Sequence, residues 1–426
     1  MILKKRKTYL NIHLILLAGY ALLGKGFAYA GYPPVFVGEV VLLIGMLFSI
    51  SYISLRKVNP VIVVLVLFLL YNFSIMIVNI DEYGLMSVRD SAVWYYSIYT
   101  IILYLIIKDR SNLIVFHVKL AVIFKWIIIV SPIVLLVQKS FLDYIPFWPG
   151  SNAPIIWIKP GDVMVFLSGA LALHLLKLTT FSKSVLILLL IEIIVFGTLN
   201  RGGLLSLIIS VLVIILLNPF NKKVTRLISL AILLLSFLWL TELELTIPGN
   251  KRIVSYEQIV KNIESITSDS NKDVLEGTKE FRLDWWKTIV DYTVFGEYFY
   301  FGKGFGINLA DDDGHQVLRD SSLRSPHSVH LTFLARTGVI GLLLWMFLII
   351  FWYVSVFRKY NYFKRINDDT SKSIVIFQIA FLTSFLVNAS FDVFLEGPVG
   401  GIWFWSIIAS GIIIERRKTS YNVQHN

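Results

Sequence analysis

The stretch SVLILLLIEIIVFGTLNRGGLLSLIISVLVIILLN, residues 184–218, decides the fold of this chain. It contains two apolar runs, 184–200 and 202–218, which meet at Asn200-Arg201-Gly202-Gly203. A bilayer core of roughly 30 Å needs about 17–25 apolar residues for each helix that crosses it. The stretch therefore predicts two membrane-spanning helices joined by a tight turn at the membrane surface.

The rest of the chain has the same character. Hydrophobic residues make up 56% of the 426 positions and charged residues only 16%, whereas a soluble domain has about 25% charged residues. We predict an all-α, polytopic helical membrane protein with about twelve transmembrane helices. The predicted spans are near 10–28, 34–54, 60–79, 91–107, 113–137, 162–178, 184–200, 202–218, 226–246, 329–357, 373–392 and 400–415.

The basic residues orient these spans. With the N-terminus inside, 21 Lys and Arg residues fall in the predicted cytoplasmic segments. The short loops on the other side hold five, namely Lys25, Arg89, Lys139, Lys159 and Arg201. Because cytoplasmic loops are enriched in Lys and Arg, this distribution predicts an N-in, C-in topology. The net charge of +11 is then mainly topological, so we expect no nucleic-acid partner.

One long extracytoplasmic loop interrupts the spans. We predict an N-terminal transmembrane bundle at 1–246, this loop at 247–328, and C-terminal helices with a short cytoplasmic tail at 329–426. Within the loop, 256–267 and 279–295 have the residue pattern of helices, and Gly302, Gly304 and Gly306 predict a structural turn. The N-terminus resembles a signal peptide in outline, but we expect the first helix to remain uncleaved.

Two arginines are candidates for binding an anion on the extracytoplasmic side. Arg201 lies at the turn between two spans, where a guanidinium needs water, lipid headgroups or an anionic ligand. Arg282 lies on an amphipathic segment whose Phe281, Trp285 and Ile289 follow helical spacing. This segment either rests its aromatic face on the bilayer or holds Arg282 over a lipid-linked phosphate.

His327 is the candidate general base. It follows a proline just before a predicted span, and His330 comes three residues later. The nearby acids at 311–313 and 320 lack the spacing of zinc or calcium ligands, so we expect no metal. The glycine turn lacks the spacing of a P-loop, and we expect no cofactor. An imidazole that titrates near neutrality can take a proton from an attacking hydroxyl.

The order of these motifs resembles the O-antigen ligase and polysaccharide polymerase family. The resemblance covers roughly residues 185–411. It is carried by the Asn-Arg-Gly turn at 200–202, the large loop, and His-Ser-x-His-Leu-x-x-Leu-x-x-x-Gly-x-x-Gly from His327. It also includes Asn-Ala-Ser-Phe-Asp at 388–392 and Phe-Trp at 404–405. Three positions depart from the family pattern: Asn200 replaces Ser, Ser328 replaces Asn, and Arg336 stands where an acid is frequent.

The resemblance implies glycosyl transfer from an undecaprenyl-diphosphate-linked saccharide, at the periplasmic face of a bacterial inner membrane. Arg201 and Arg282 would bind the diphosphate, and His327 would deprotonate the acceptor, giving inversion without metal. Arg319, Arg324, His330 and Lys25 are the further candidates for substrate binding. The expected partners are an acceptor glycan or lipid A-core, membrane lipids and a chain-length regulator.

Two acceptors and two other classes of function stay open. An O-antigen polymerase joins repeat units, and we favour it over an O-antigen ligase, which transfers glycan to lipid A-core. A flippase for lipid-linked oligosaccharides would place basic residues in mid-membrane and show related halves. A purely structural interpretation makes Arg201, Arg282 and His327 headgroup anchors.

Overall fold

A computed structural model describes residues 2–52, 59–107, 110–219, 222–248, 252–267 and 274–415. The protein is 74% helical with almost no sheet, which confirms the predicted all-α fold class. Some predicted positions lie outside the described residues. These are 53–54 of the second predicted span, 249–251 and 268–273 of the long loop, the cytoplasmic tail from 416 onward, and the basic residues Arg56, Lys57, Lys108, Arg416, Arg417 and Lys418.

Helices follow one another along the described chain. In the first part of the chain they are α1 (Ile2–Leu23), α2 (Val37–Ile50), α3 (Pro60–Val78), α4 (Ile80–Tyr83), α5 (Leu85–Asp90), α6 (Ala92–Tyr95), α7 (Ile98–Ile106), α8 (Arg110–Ser140) and α9 (Pro160–Leu175). In the second part they are α10 (Lys183–Leu199), α11 (Arg201–Leu217), α12 (Lys222–Thr241), α13 (Tyr256–Thr267), α14 (Val274–Thr293), α15 (Leu309–Asp312), α16 (Val329–Arg365), α17 (Asp369–Ala389) and α18 (Pro398–Glu415).

Two short antiparallel hairpins accompany the helices. Strand β1 (Gly31–Tyr32) pairs with β2 (Val35–Phe36), with Gly31 opposite Phe36. Strand β3 (Leu245–Thr246) pairs with β4 (Ile253–Val254), with Leu245 opposite Val254.

Helical structure is present at each of the twelve predicted spans. By length and composition, five helices of the described chain can cross a membrane, and shorter apolar helices occur beside them. The five are Pro60–Val78, Asn112–Ser140, Lys222–Thr241, Val329–Arg365 and Asp369–Ala389. The chain is therefore a helical membrane protein, while the count of twelve and the topology stay predictions.

The chain divides into two compact units. Unit 1 contains 1–51, 106–269 and 357–388, and unit 2 contains 52–105, 270–356 and 389–426. Each unit is assembled from three separate segments of the chain. The division into 1–246, 247–328 and 329–426 describes topology along the sequence and stays a prediction.

In unit 1, the predicted tight turn links α10 and α11 through a single residue. Asn200 is the N-cap of α11, and its side chain accepts a hydrogen bond of 2.7 Å from the backbone N–H of Gly203. A side chain on Gly203 would meet Met164 and Gly161 of α9 at 2.8–3.0 Å. The glycine therefore lets the start of α11 pack directly against α9.

Unit 2 is organised around a kink in α16. Gly338 has φ 64° and ψ −168°, which is not helical and not readily accessible to residues with a side chain. The turn at Gly302–Gly304 docks on this kink, where Lys303 and Gly304 donate backbone hydrogen bonds to the carbonyls of Ala335 and Arg336. The backbone N–H of Val339 donates a hydrogen bond to the carbonyl of Phe299.

We expect Gly338→Ala to destabilise the protein. The φ value is unfavourable for alanine, and the added Cβ would lie 2.5 Å from the carbonyl oxygen of Phe299. The backbone strain alone costs on the order of 1–3 kcal/mol. Thermal unfolding in detergent measures the loss. The matched control is Gly397→Ala, because a Cβ there meets nothing within 4 Å. Equal midpoints for the two variants would contradict this account of the kink.

Candidate functional site

His327 adopts a backbone conformation that is uncommon for a residue with a side chain. Its φ is 56°, in the left-handed region, and such residues concentrate at functional sites and tight turns. It precedes α16, and its side chain is 29% exposed. The Nδ1 atom is buried and has no hydrogen-bond partner. The turn thus holds the imidazole at a partly accessible position.

A carboxylate and a guanidinium lie beside this imidazole. Oδ1 of Asp392 is 3.8 Å from Nδ1 of His327, within ion-pair distance but beyond a hydrogen bond. Arg282 donates a hydrogen bond of 3.0 Å from Nη1 to the carbonyl of Phe391, the residue before Asp392. Unit 2 therefore brings together His327 and Arg282, two of the three residues proposed from the sequence, and adds Asp392.

The segment that carries Arg282 packs against protein. Helix α14 begins at Val274 and ends at Thr293, whereas the sequence predicted 279–295. Its Trp285 and Ile289 are fully buried in one apolar cluster, completed by Leu309, Ala310, Leu334 and Ala335. The aromatic face thus lies within unit 2, which argues against the interpretation that it rests on the bilayer.

Two tryptophans of α14 tie it to the rest of unit 2, one of them at the turn before His327. The indole N–H of Trp286 donates a hydrogen bond of 2.8 Å to the carbonyl of Pro326, immediately before His327. The indole N–H of Trp285 donates to Oδ2 of Asp313 at 2.7 Å. These bonds position Arg282 and His327 through the same helix.

Glu396 is a second acid near His327. Its Oε1 accepts hydrogen bonds from the hydroxyls of Ser325, at 2.6 Å, and Thr332, at 2.8 Å. Burial raises the pKa of Glu396, although these two hydrogen bonds act in the opposite direction. The positive charge of Arg336 and of protonated His327 also lowers it, but by less than burial raises it.

Asp90 pairs with two arginines of unit 2. Its Oδ2 lies 2.9 Å from Nη2 of Arg324 and 3.0 Å from Nη2 of Arg336. Arg324 also donates to the carbonyl of Gly306 at 2.8 Å. Arg336 is 3% exposed, so it is a buried partner of this carboxylate. Arg336, which stands where an acid is frequent in the family, thus shares this counter-ion with Arg324.

The other predicted binding residues lie in different surroundings. In His330, Nδ1 accepts from the indole of Trp345 at 3.1 Å and Nε2 lies 3.2 Å from Oγ of Ser390. Arg319 is exposed in the loop of unit 2. In unit 1, the ammonium of Lys25 lies 4.4 Å from the centre of the Trp157 ring.

In unit 1, Arg201 has a second arginine near it. Nη1 of Arg252 donates to the carbonyl of Leu199 at 2.8 Å, two residues before Arg201. Burial, followed by the positive charge of Arg201, lowers the pKa of Arg252. Asn262 of α13 donates to the carbonyls of Gly197 and Thr198, at 3.0 and 2.9 Å. Two like charges beside the start of α11 favour an anion there.

Sequence reasoning missed roles for three residues. In the sequence, Asp392 is only the last residue of the Asn-Ala-Ser-Phe-Asp motif, and Arg252 and Glu396 belong to no motif. The available signal was weak, because each is an ordinary charged residue just outside an apolar segment and carries no motif of its own. Their proximity to Arg201 or His327 depends on long-range contacts that no local pattern reveals.

Residues 185–346 match the O-antigen ligase family model. The match covers the Asn200 turn, Arg282 and the whole His327 motif, and it confirms the family resemblance over this segment. No curated protein matches the chain. The similarity indicates a membrane function like that of O-antigen ligases and polymerases, which are glycosyltransferase-like proteins with lipid-linked glycan and acceptor partners.

We expect Glu396→Gln to flatten the pH dependence of stability. The raised pKa of Glu396 means that its contribution is complete below its usual pKa near 4.5 and is lost as pH rises through the folded-state pKa. Glutamine retains an oxygen acceptor for Ser325 and Thr332 but cannot ionise. Thermal midpoints between about pH 5 and 8 should therefore decrease less in the variant than in the native protein.

The control for this experiment is Glu280→Gln, which removes an exposed carboxylate of the same unit. It should leave the pH profile unchanged. A steeper loss of stability with pH in Glu396→Gln would contradict a raised pKa at Glu396.

Proposed function

We propose that this protein is a membrane glycosyltransferase that uses an undecaprenyl-diphosphate-linked saccharide at the periplasmic face. The observation that carries the proposal is the convergence of His327, Asp392 and Arg282 in unit 2. A base, an acid that can orient it and a cation for a leaving phosphate meet there. The match to the O-antigen ligase family model supports the same reaction class.

His327 acts as the general base in this proposal. Asp392 lies on the Nδ1 side of the ring, so it favours the tautomer with the proton on Nδ1 and the lone pair on Nε2. Nε2 takes the proton of the acceptor hydroxyl as its oxygen attacks the anomeric carbon of the donor. The new glycosidic bond forms on the face opposite the leaving group, so the anomeric configuration inverts.

The leaving group is a lipid diphosphate. The bond between the anomeric carbon and the phosphate oxygen breaks, and the electron pair stays on the diphosphate. Arg282 stabilises the charge that develops there, because a guanidinium forms strong charge-assisted hydrogen bonds to phosphate. The diphosphate needs no proton to leave, so the reaction requires no second carboxylic acid of the kind used by glycosidases.

Arg201 is proposed as a further diphosphate ligand from its motif. Its proximity to Arg252 supports anion binding within unit 1, since two guanidinium groups beside one helix N-terminus repel each other unless an anion is present. Chemistry of this kind needs no metal, so we expect transfer to persist in the presence of a chelator.

We favour an O-antigen polymerase, which joins repeat units, as the form of this activity. The ligase is the second candidate, because the matching family model is described as O-antigen ligase. Deletion of the gene separates them through the banding of lipopolysaccharide. One repeat unit on the core indicates a lost polymerase, whereas bare core with accumulated lipid-linked polymer indicates a lost ligase.

We expect variants of His327, Asp392 and Arg282 to lose glycosyl transfer while the protein still folds. Purified protein with a defined lipid-linked saccharide should show a rate reduced about 10²–10⁴-fold in His327→Ala, the usual contribution of a general base. Asp392→Asn should lower the rate less and shift its pH profile, because the acid acts through the imidazole. Arg282→Lys should also slow transfer, since an ammonium cannot bind phosphate bidentately.

The matched control is Arg89→Gln. Arg89 is an exposed arginine of unit 2 whose Nη1 contacts the sulfur of Met86. The Arg89→Gln variant should transfer glycan at the native rate. Native rates in His327→Ala, with chromatography showing a folded protein, would falsify the proposed base.

We expect Arg201→Lys and Arg252→Lys each to weaken binding of the donor. Lysine retains the charge but loses the planar fork, so the KM for the lipid-linked saccharide should rise severalfold more than kcat falls. Steady-state kinetics with varied donor concentration measures this division. An unchanged KM in both variants would remove the anion-binding role from Arg201 and Arg252.

A further inference from the structure

A basic cavity lies within unit 1, among segments that the charge distribution places on the cytoplasmic side. Its volume is about 800 Å³. It is lined by five basic residues and one acid, namely Lys177, Lys222, Lys223, Arg226, Lys372 and Asp369. The remaining lining includes apolar residues such as Ile114, Leu175 and Ile374. No part of the proposed glycan transfer uses this cavity.

The five cations come from three places in the chain. Lys177 follows the end of α9, Lys222, Lys223 and Arg226 lie in the first turns of α12, and Lys372 lies in the first turn of α17. All five belong to segments predicted to be cytoplasmic from the sequence. Since like charges repel, folding that gathers them around one cavity favours an anion in it.

The local pairing leaves an excess of positive charge. Lys372 forms an ion pair with Asp369 at 2.5 Å, and the Nζ of Lys223 donates to the carbonyl of His174 at 2.8 Å. Asp369 is the only acid in the described lining. The backbone N–H groups at the start of α12 and α17 add to the positive potential, because helix N-termini favour anions.

Lys177 occupies a position where glycine is the usual residue. Its φ is 59°, in the left-handed region. Its backbone N–H donates to the carbonyl of His174, and that of Leu178 donates to the carbonyl of Leu173. These two bonds form a Schellman motif with Lys177 at the left-handed position that glycine normally fills. A lysine there is less favourable than glycine, and its side chain lines the cavity.

We infer that this cavity binds a phosphate-bearing anion. The combination of basic and apolar lining fits the headgroup phosphate of an anionic phospholipid, whose glycerol and first methylenes would contact Ile114, Leu175 and Ile374. A soluble phosphate would use the basic residues alone. The two sources share one chemistry and differ in whether the apolar lining contributes.

The test uses purified full-length protein in a neutral maltoside detergent. Native mass spectrometry counts the retained molecules of dioleoyl phosphatidylglycerol or dioleoyl phosphatidylcholine, and a parallel titration uses inorganic phosphate. We expect phosphatidylglycerol to bind at least tenfold more tightly than phosphatidylcholine. Retention of inorganic phosphate with no lipid preference would also support the anion site, and would identify a soluble source.

Lys177→Gly is the most informative variant. It removes a charge and also relieves the left-handed strain, so the thermal midpoint should stay the same or rise. The affinity for phosphatidylglycerol should fall roughly fivefold, the usual effect of one basic residue near an anionic lipid. Because the thermal midpoint of Lys177→Gly should not fall, weaker binding in that variant cannot be attributed to unfolding. Arg226→Gln should show the same loss of affinity.

The matched control is Lys183→Gln. Lys183 is exposed and belongs to a predicted cytoplasmic segment, but it does not line the cavity. Its variant should keep the native preference. The inference is overturned if neither lipid nor phosphate is retained, or if Lys177→Gly and Arg226→Gln bind as tightly as Lys183→Gln. Glycan transfer is not part of this readout, so the result stands apart from the proposed enzyme activity.

Discussion

The backbone hydrogen bonds between the glycine turn and the kink of α16 hold unit 2 in register. They run from Lys303 and Gly304 to the carbonyls of Ala335 and Arg336, and from Val339 to Phe299. Helix α14 leads into the turn, and the segment from His327 leads into α16. Because both are tied at the same place, Arg282 and His327 reach the neighbourhood of Phe391 and Asp392. The side chains proposed for chemistry thus depend on contacts in which they take no part.

Charge pairing distinguishes cations that stabilise the fold from those available to a ligand. Arg324 and Arg336 share Asp90, and Lys303 pairs with Asp312 and Asp313. Each of these cations has a carboxylate that offsets the loss of hydration. By contrast, Arg252 has Arg201 as its nearby charge, and the cavity of unit 1 holds five basic residues with one acid. An excess of like charge is costly, so it points to an anion that compensates it.

The sequence predicted the helices well because hydropathy is a local property. Each apolar run encodes its own helix, and Asn200 with Gly203 encodes the turn between two of them. The alternative in which α14 rests on the bilayer could not be decided locally. Phe281, Trp285 and Ile289 mark an apolar face, but only the fold shows that Leu309 and Leu334 cover it. Local sequence could not place Asp392 and Glu396 beside the His327 turn either. Each lies more than sixty residues further along the chain than the residue that it contacts.

The one-residue link between α10 and α11 also limits how unit 1 can move. A hinge needs several residues that can change their backbone angles, and Asn200 is held by its bond to Gly203 while its side chain packs against Gly161. The carbonyls at the end of α10 are tied to Asn262 and Arg252 as well. These contacts oppose bending between helices α10 and α11. Under the proposed function, access of a lipid-linked donor to Arg201 would therefore depend on movement of other segments and not on opening of this turn.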